Sequence, residues 1–172
     1  MKKGSRGFSL IELLIVVAII LIIAAIAIPN LLRSRIAANQ ASAVGSLRTL
    51  NTAEVTYSTT YNSGYSSTLG DLGPGSPGSN VPNSTAAGLV DEVLSGMAQY
   101  GATATTSAKS GYQFVYTPSA TDTSGKINSY AFTASPVSVG TTGTNFYYTD
   151  QSGVIRQNST APAGSADSPL AG

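Results

Sequence analysis

Glu12 stands where a carboxylate is costly. Of the twenty-one residues Phe8–Ile28, nineteen are hydrophobic and the exceptions are Ser9 and Glu12. A charged side chain at the bilayer centre costs ~2.5–3.5 kcal/mol by insertion scales, and less near an end. Two readings are open at this position. The first is a first-turn glutamate favoured by the helix dipole, its carboxylate reaching to the headgroups. The second requires a cation at the same depth, and a chain cut between Gly7 and Phe8 would supply one in the new α-ammonium of Phe8. Buried opposite charges relieve each other's desolvation.

Other side chains with chemical potential are weaker candidates. Asp91 and Glu92 are adjacent, so on a helix they point apart and make a poor acid/base pair. Asp122, Ser124 and Asp150 could contribute to a calcium site, but no loop offers dense acidic spacing, and turn roles fit them better. Tyr57, Tyr61 and Tyr65 recur every four residues, which suits packing at a helix end or exposed aromatics more than an aromatic path. Arg33, Arg35 and Arg48 fit a solvated helix face better than lipid headgroup binding or pairing with neighbours. The chain contains no His, Cys or Trp. This removes the commonest general base and metal ligand together with disulfides, zinc clusters and thiol catalysis. Nothing in the pattern implies a catalytic residue, a cofactor or a metal ion. The formal charge of +1 argues against a nucleic-acid-binding field.

The elements that must position Glu12 follow from hydropathy. The 172 residues suit one domain with an appended segment. Leu13–Ile28 is an unbroken run of sixteen apolar residues, and Phe8–Ile28 as a helix reaches roughly 30 Å, the thickness of one hydrocarbon core. No polar stripe marks a face for a protein core, so this is a transmembrane segment. Lys2, Lys3 and Arg6 precede it, which places the N-terminus in the cytoplasm, with Arg33 and Arg35 a weaker counterweight. Ala24-Ala25-Ile26-Ala27 could mimic a signal-peptidase site. Against that, the apolar run is long and Ile28-Pro29-Asn30 passes directly into another helical pattern.

Gly7-Phe8-Ser9-Leu10-Ile11-Glu12-Leu13-Leu14, preceded by a basic leader and followed by an apolar run to Pro29, resembles the N-terminus of type IV pilins and pseudopilins. The likeness is concentrated in residues 1–55. It implies cleavage between Gly7 and Phe8 by a membrane-embedded prepilin peptidase, and N-methylation of Phe8 by the same enzyme. It implies that Glu12 pairs with the Phe8 amine and aligns an incoming subunit, and that Pro29 is the family's helix-kinking proline. Many family members carry a glycine midway between that glutamate and that proline, where this chain has Leu21. With Leu21 in place, Pro29 alone breaks the hydrogen-bond ladder.

Beyond Pro29, Leu32, Ile36, Ala43, Leu47 and Leu50 recur at helical spacings, while Arg33, Arg35, Asn39 and Arg48 occupy other faces. One long helix is expected from about Phe8 to about Tyr57, and a coiled coil is the weaker alternative. Residues 58–85 are rich in Ser, Gly and Pro, with Gly73-Pro74-Gly75-Ser76-Pro77-Gly78 as a breaker cluster. A short helix is expected over Ala86–Tyr100, capped by Ser84 or Thr85, with Val90, Val93, Leu94 and Met97 as its apolar face. Alternation at Tyr112, Phe114, Tyr116 and at Tyr130, Phe132, Ala134 predicts strands, and Asn145–Thr149 and Val154–Gln157 flank a turn at Asp150-Gln151-Ser152-Gly153.

The expected fold is therefore α+β, a long N-terminal helix against a small antiparallel sheet. Residues 1–7 form the leader, 8–28 the membrane or filament-core helix, and 29–57 its amphipathic continuation. Residues 58–157 form the variable loop, short helix and sheet, and 158–172 a loose tail. From Pro29 onward, Leu, Ile, Val and Phe make up only 24 of 144 residues, while all nine Tyr fall there. That predicts a thin core filled by Tyr and Ala. Ser and Thr number 43, suiting an exposed coat, and Asn83-Ser84-Thr85 and Asn158-Ser159-Thr160 match glycosylation sequons. The resemblance points to a filament subunit whose partners are copies of itself and related pilins, the prepilin peptidase, inner-membrane assembly machinery and, before assembly, the lipid bilayer. A type II secretion pseudopilin is the alternative within the family, and a monomeric membrane-anchored binding module is the alternative of another class.

Overall fold

The structure, a computed structural model, describes residues 8–75 and 81–170. The chain forms two compact units, Met1–Arg35 and Ile36–Gly172. Helix α1, Leu10–Tyr61, is assigned without interruption through Pro29. Pro29 has no N–H, so the Ala25 carbonyl lacks its usual helical donor.

In the second unit, α1 lays Ala43, Leu47, Leu50, Ala53 and Tyr57 against an antiparallel sheet. The strands are β1 (Thr106–Lys109), β2 (Tyr112–Pro118), β3 (Tyr130–Pro136), β4 (Phe146–Asp150) and β5 (Arg156–Asn158). They pair in sequence order, so every neighbour is the next strand of a meander. The period-two alternation of β2 and β3 aims Tyr112, Phe114, Tyr116, Tyr130, Phe132 and Ala134 at the helix. Tyr116 stacks at 4.8 Å on Phe132, and Tyr130 contacts Phe132 edge-on at 5.4 Å. Aromatic area thus replaces the aliphatic area that the head lacks. Lys109 pairs with Tyr112 across a two-residue turn in which Ser110 and Gly111 both have positive φ, the geometry that follows a strand's right-handed twist.

The α+β expectation agrees with this architecture, while four local features differ. Helix α1 runs four residues past Tyr57. Strand β1, Thr-Ser-Ala-Lys, has no apolar alternation and gave no signal; its pairing with β2 creates it. The helix expected over Ala86–Tyr100 contracts to α2, Met97–Tyr100. Gly88 and Gly96 take positive φ, and the amides of Ala87, Gly88, Leu89 and Val90 donate to carbonyls of Asp71, Gly73 and Leu72. Those bonds dock the segment on the short 3-10 helix Gly70–Leu72 and the residue after it, in place of a continuous helix from Ala86. Of the expected apolar face Val90 and Leu94 are buried, Met97 is half-buried and Val93 is exposed.

The segment from Asn158 is also tied down where a loose tail was expected. Gln157 N–H donates to the Ser168 carbonyl at 3.0 Å, and Leu170 N–H to the Ile155 carbonyl at 2.8 Å. Arg156 Nη1 donates to the Asp167 carbonyl at 2.9 Å and Asn158 Nδ2 to Asp167 Oδ1 at 2.9 Å. Ala163 is buried and Leu170 packs against the core. A polar sequence signals a loose tail only when its backbone groups face water, and here the strand edge takes them.

Candidate processing and assembly site

Residues Phe8–Glu12 form the start of α1. Ser9 is the residue before the first helical position, and its carbonyl accepts the Leu13 amide at 3.2 Å. Glu12, three residues on, turns back and accepts the Ser9 N–H on Oε2 at 2.8 Å. This is the glutamate half of a capping box, satisfying a backbone donor that the helix cannot. Leu10 and Ile11 are constrained to the first turn by this clasp, which sets Phe8 immediately outside the helix. Phe8 is 84% exposed. Gly7, the other side of the expected cleavage point, lies outside the described residues, as does the rest of the leader.

From Leu10 to Ile28 the large side chains point outward all round the helix, with exposures from 43% at Val17 to 75% at Leu10. Within its own unit this helix buries no face. It is long and apolar enough to cross a membrane. Arg33 and Arg35 follow on exposed positions.

The remaining candidates are dispersed. Asp91 Oδ2 accepts Lys109 Nζ at 2.8 Å, the one ion pair among the described residues, and Asp91 Oδ1 accepts the Leu94 amide. Burial works against the Asp91 carboxylate, but the Lys109 and Leu94 donors hold it below the ordinary aspartate range. Asp122 spends its oxygens inside one turn: Oδ1 accepts the amides of Ser124 and Lys126, and Oδ2 accepts Asn128 Nδ2. Led by the Lys126 amide, these donors pull its carboxyl down to about 2. Asp150 likewise caps the β4–β5 turn by accepting the Ser152 amide. Tyr57 and Tyr61 contact each other at 4.9 Å, while Tyr65 leaves the helix and packs edge-on against Tyr130 at 4.6 Å. The Asn83 and Asn158 side chains each accept the amide and hydroxyl of the Thr two residues on, forming compact turns.

Glu54 escaped the sequence reading, which treated Glu12 as the one carboxylate demanding an explanation. It is fully buried. Its Oε2 accepts the Ser66 amide at 3.0 Å and Oε1 lies 2.6 Å from Ser66 Oγ. Burial pushes its carboxyl above the ordinary range; the Ser66 hydroxyl and amide and the Tyr116 phenol pull part of the way back, and Asp71 adds to the rise. The signal was available, because Leu47, Leu50, Glu54 and Tyr57 continue one helical stripe at spacings of three and four.

With this geometry in view, the comparisons with known proteins bear on the same stretch. Residues 2–28 match the family model described as the prokaryotic N-terminal methylation motif. The chain is 51% identical over 53 residues to the type IV major pilin protein PilA of Myxococcus xanthus, covering 31% of this chain and 24% of that one. It is 62% identical over 37 residues to the type IV wide pilus major component PilA4 of Thermus thermophilus, covering 22% of this chain and 28% of that one. The chain thus spans about a quarter of the length of the curated relatives it matches. No solved structure matches it.

The fold is a helix-first α+β chain whose apolar N-terminal helix is long and apolar enough to cross a membrane. The N-terminal segment carries the prokaryotic N-terminal methylation motif and is similar to the corresponding stretch of two type IV pilins, and the head that follows is an α+β arrangement consistent with the type IV pilin fold.

Proposed function

We propose that the chain is a type IV pilin-like structural subunit, cleaved between Gly7 and Phe8, N-methylated on Phe8, and polymerised through Phe8–Ile28. The observation that carries this reading is the junction itself: an apolar helix exposed on every side, with one carboxylate in its first turn, directly after Gly7-Phe8. Before assembly the helix sits in the bilayer, with the basic leader on the cytoplasmic side and the head outside. Lipid tails are as apolar as Ile or Leu, so leaving lipid for a filament gains little from the hydrophobic effect. Close packing of helices against identical helices must supply the drive, and the Glu12–Phe8 charge pair supplies register. The machinery implied is a prepilin peptidase and an inner-membrane assembly platform, and the product is a surface filament built of copies of this chain and related pilins.

Two measurements test this. Intact mass of the protein recovered from membranes gives the processed, methylated chain; retention of Met1–Gly7 removes the reading. Electron microscopy of sheared surface material, with mass spectrometry of the filaments, finds this chain as a filament component. A monomeric anchored binding module would leave the sheared fraction without it.

A further inference from the structure

Glu54 is a buried titratable group that the assembly role does not use, and its hydrogen bonds can be counted. Three oxygen–oxygen contacts run in series: Glu54 Oε1 to Ser66 Oγ at 2.6 Å, Ser66 Oγ to Tyr116 Oη at 3.2 Å, and Tyr116 Oη to the Ser66 carbonyl at 2.7 Å. Each needs one hydrogen. The Ser66 and Tyr116 hydroxyls bring two between them. The Tyr116 hydrogen is committed to the Ser66 carbonyl, its shortest contact. If Glu54 were ionised, the Ser66 hydrogen would turn to Oε1, and the Ser66–Tyr116 contact would set lone pair against lone pair. A hydrogen on Oε1 completes the series. Oε1–H donates to Ser66 Oγ, Ser66 O–H to Tyr116 Oη, and Tyr116 O–H to the Ser66 carbonyl, while Oε2 keeps the Ser66 amide.

The surroundings agree with this count. No Lys or Arg forms an ion pair with Glu54 among the described residues, where the ion pair is Lys109–Asp91. Tyr57 faces it from its own helix, Tyr116 from β2 and Tyr130 from β3, all neutral phenols. Asp71, from the 3-10 helix, is the charged neighbour, and its like charge disfavours a second carboxylate. Isolated buried charges are costly and neutralise instead.

We propose that Glu54 is held as the neutral acid in the folded head, and that its proton locks residues 62–69 onto helix α1 as a pH-responsive clasp. The sign follows from linkage. A proton held more tightly in the folded than in the unfolded chain gives support that is complete below the unfolded value of 4.5. That support is lost as the pH rises through the higher folded value. The ionised clasp leaves the Tyr116–Ser66 contact without a hydrogen, so a rise in pH loosens the loop that follows α1.

The test uses full-length protein in detergent, in a Glu12→Gln background so that the membrane-segment carboxyl does not contribute. Above pH 4.5, the ordinary glutamate value, infrared spectroscopy is expected to show a protonated-carboxyl band that Glu54→Gln removes. The Gln amide donates to Ser66 Oγ as the acid does. Its melting temperature is therefore expected to lack the fall that the parent shows as the pH rises above 4.5. A Glu54-dependent band that disappears with a midpoint at or below 4.5, or an equally steep fall in Glu54→Gln, overturns the proposal. Should Glu54→Gln not fold, the pH titration of the parent's band decides alone. Disappearance with a midpoint above 4.5 supports the clasp, and a midpoint at or below it overturns the clasp.

Discussion

Glu12 holds the Ser9 amide at 2.8 Å in the uncut chain, so it serves local helix capping before any neighbour arrives. Cleavage after Gly7 would place a new amine one residue from that clasp. The two roles separate by substitution. Glu12→Gln keeps an oxygen for the Ser9 amide and loses the charge, whereas Glu12→Ala loses both. If the charge pair sets register, both variants insert in the membrane and neither enters filaments; wild-type filament yield from Glu12→Gln removes the electrostatic role. Gly143 offers a residue-scale test of the head. A Cβ there would run into the ring and hydroxyl of fully buried Tyr112. Gly143→Ala is expected to cost about 1–3 kcal/mol in denaturant unfolding, the range for overpacking a filled site. At this scale Glu12 was legible because it interrupts an apolar run. Glu54's place on the buried stripe of Leu47, Leu50 and Tyr57 was legible too, but its partners Ser66 and Tyr116 were not, because they come from other elements.

The elements divide by how local their determinants are. Helix α1 and strands β2, β3 and β4 carry their periods in their own residues and could be read directly. Strand β1, the aborted helix before α2 and the bound C-terminal segment are decided by which carbonyls and edges the rest of the head presents. Leu47 is fully buried in the α1 face that meets the sheet, and Leu47→Ala is expected to lose about 2–5 kcal/mol by denaturant titration. Lys109→Ala removes a half-exposed ion pair with Asp91 and is expected to change stability by less than about 1 kcal/mol. Ending the chain at Thr160 strips the partners of Ile155, Arg156 and Gln157. It is expected to lower the melting temperature, where a loose tail would have left it unchanged. Along the exposed side of α1, Thr49, Thr52, Thr56 and Thr59 donate their hydroxyls to carbonyls four residues back. These bonds satisfy the hydroxyls within the helix, without a partner from elsewhere in the chain.

For the whole molecule, the overall figure of 42% hydrophobic is an average of two dissimilar parts. The first is an apolar helix that buries nothing within its own unit, and the second is a head whose core is built largely of aromatic rings. Processing would change the charge balance as well, since losing Lys2, Lys3 and Arg6 leaves six basic against eight acidic side chains. Reliance on tyrosine gives the head an alkaline limit. Burial pushes the Tyr112 hydroxyl up to about 12 from 10.0, and pushes Tyr116 and Tyr130 up as well. These groups lend stability that is complete below the unfolded value and is lost as the pH rises through the folded one. Circular dichroism is expected to show unfolding between about pH 10 and 12, with tyrosinate absorbance rising together with the loss of structure.

The order of elements also fixes a timetable. Each strand of the meander pairs with the next across a loop of two to eleven residues, but α1 does not: Asn39 bonds to the carbonyl of Thr142 and Asn51 to Thr149, across sequence separations of 103 and 98 residues. During synthesis the amphipathic half of α1 therefore emerges first and waits, its sheet-facing stripe uncovered, until β4 has been made. Closing so long a loop is the slow event in such a topology. Substitutions at the α1–sheet contacts should then slow folding more than substitutions within the β2–β3 hairpin, a difference that stopped-flow refolding measures directly. On the proposed reading, a subunit whose anchor is inserted before its head can close spends that interval tethered at the membrane, apart from the other unfinished heads with which it could otherwise aggregate.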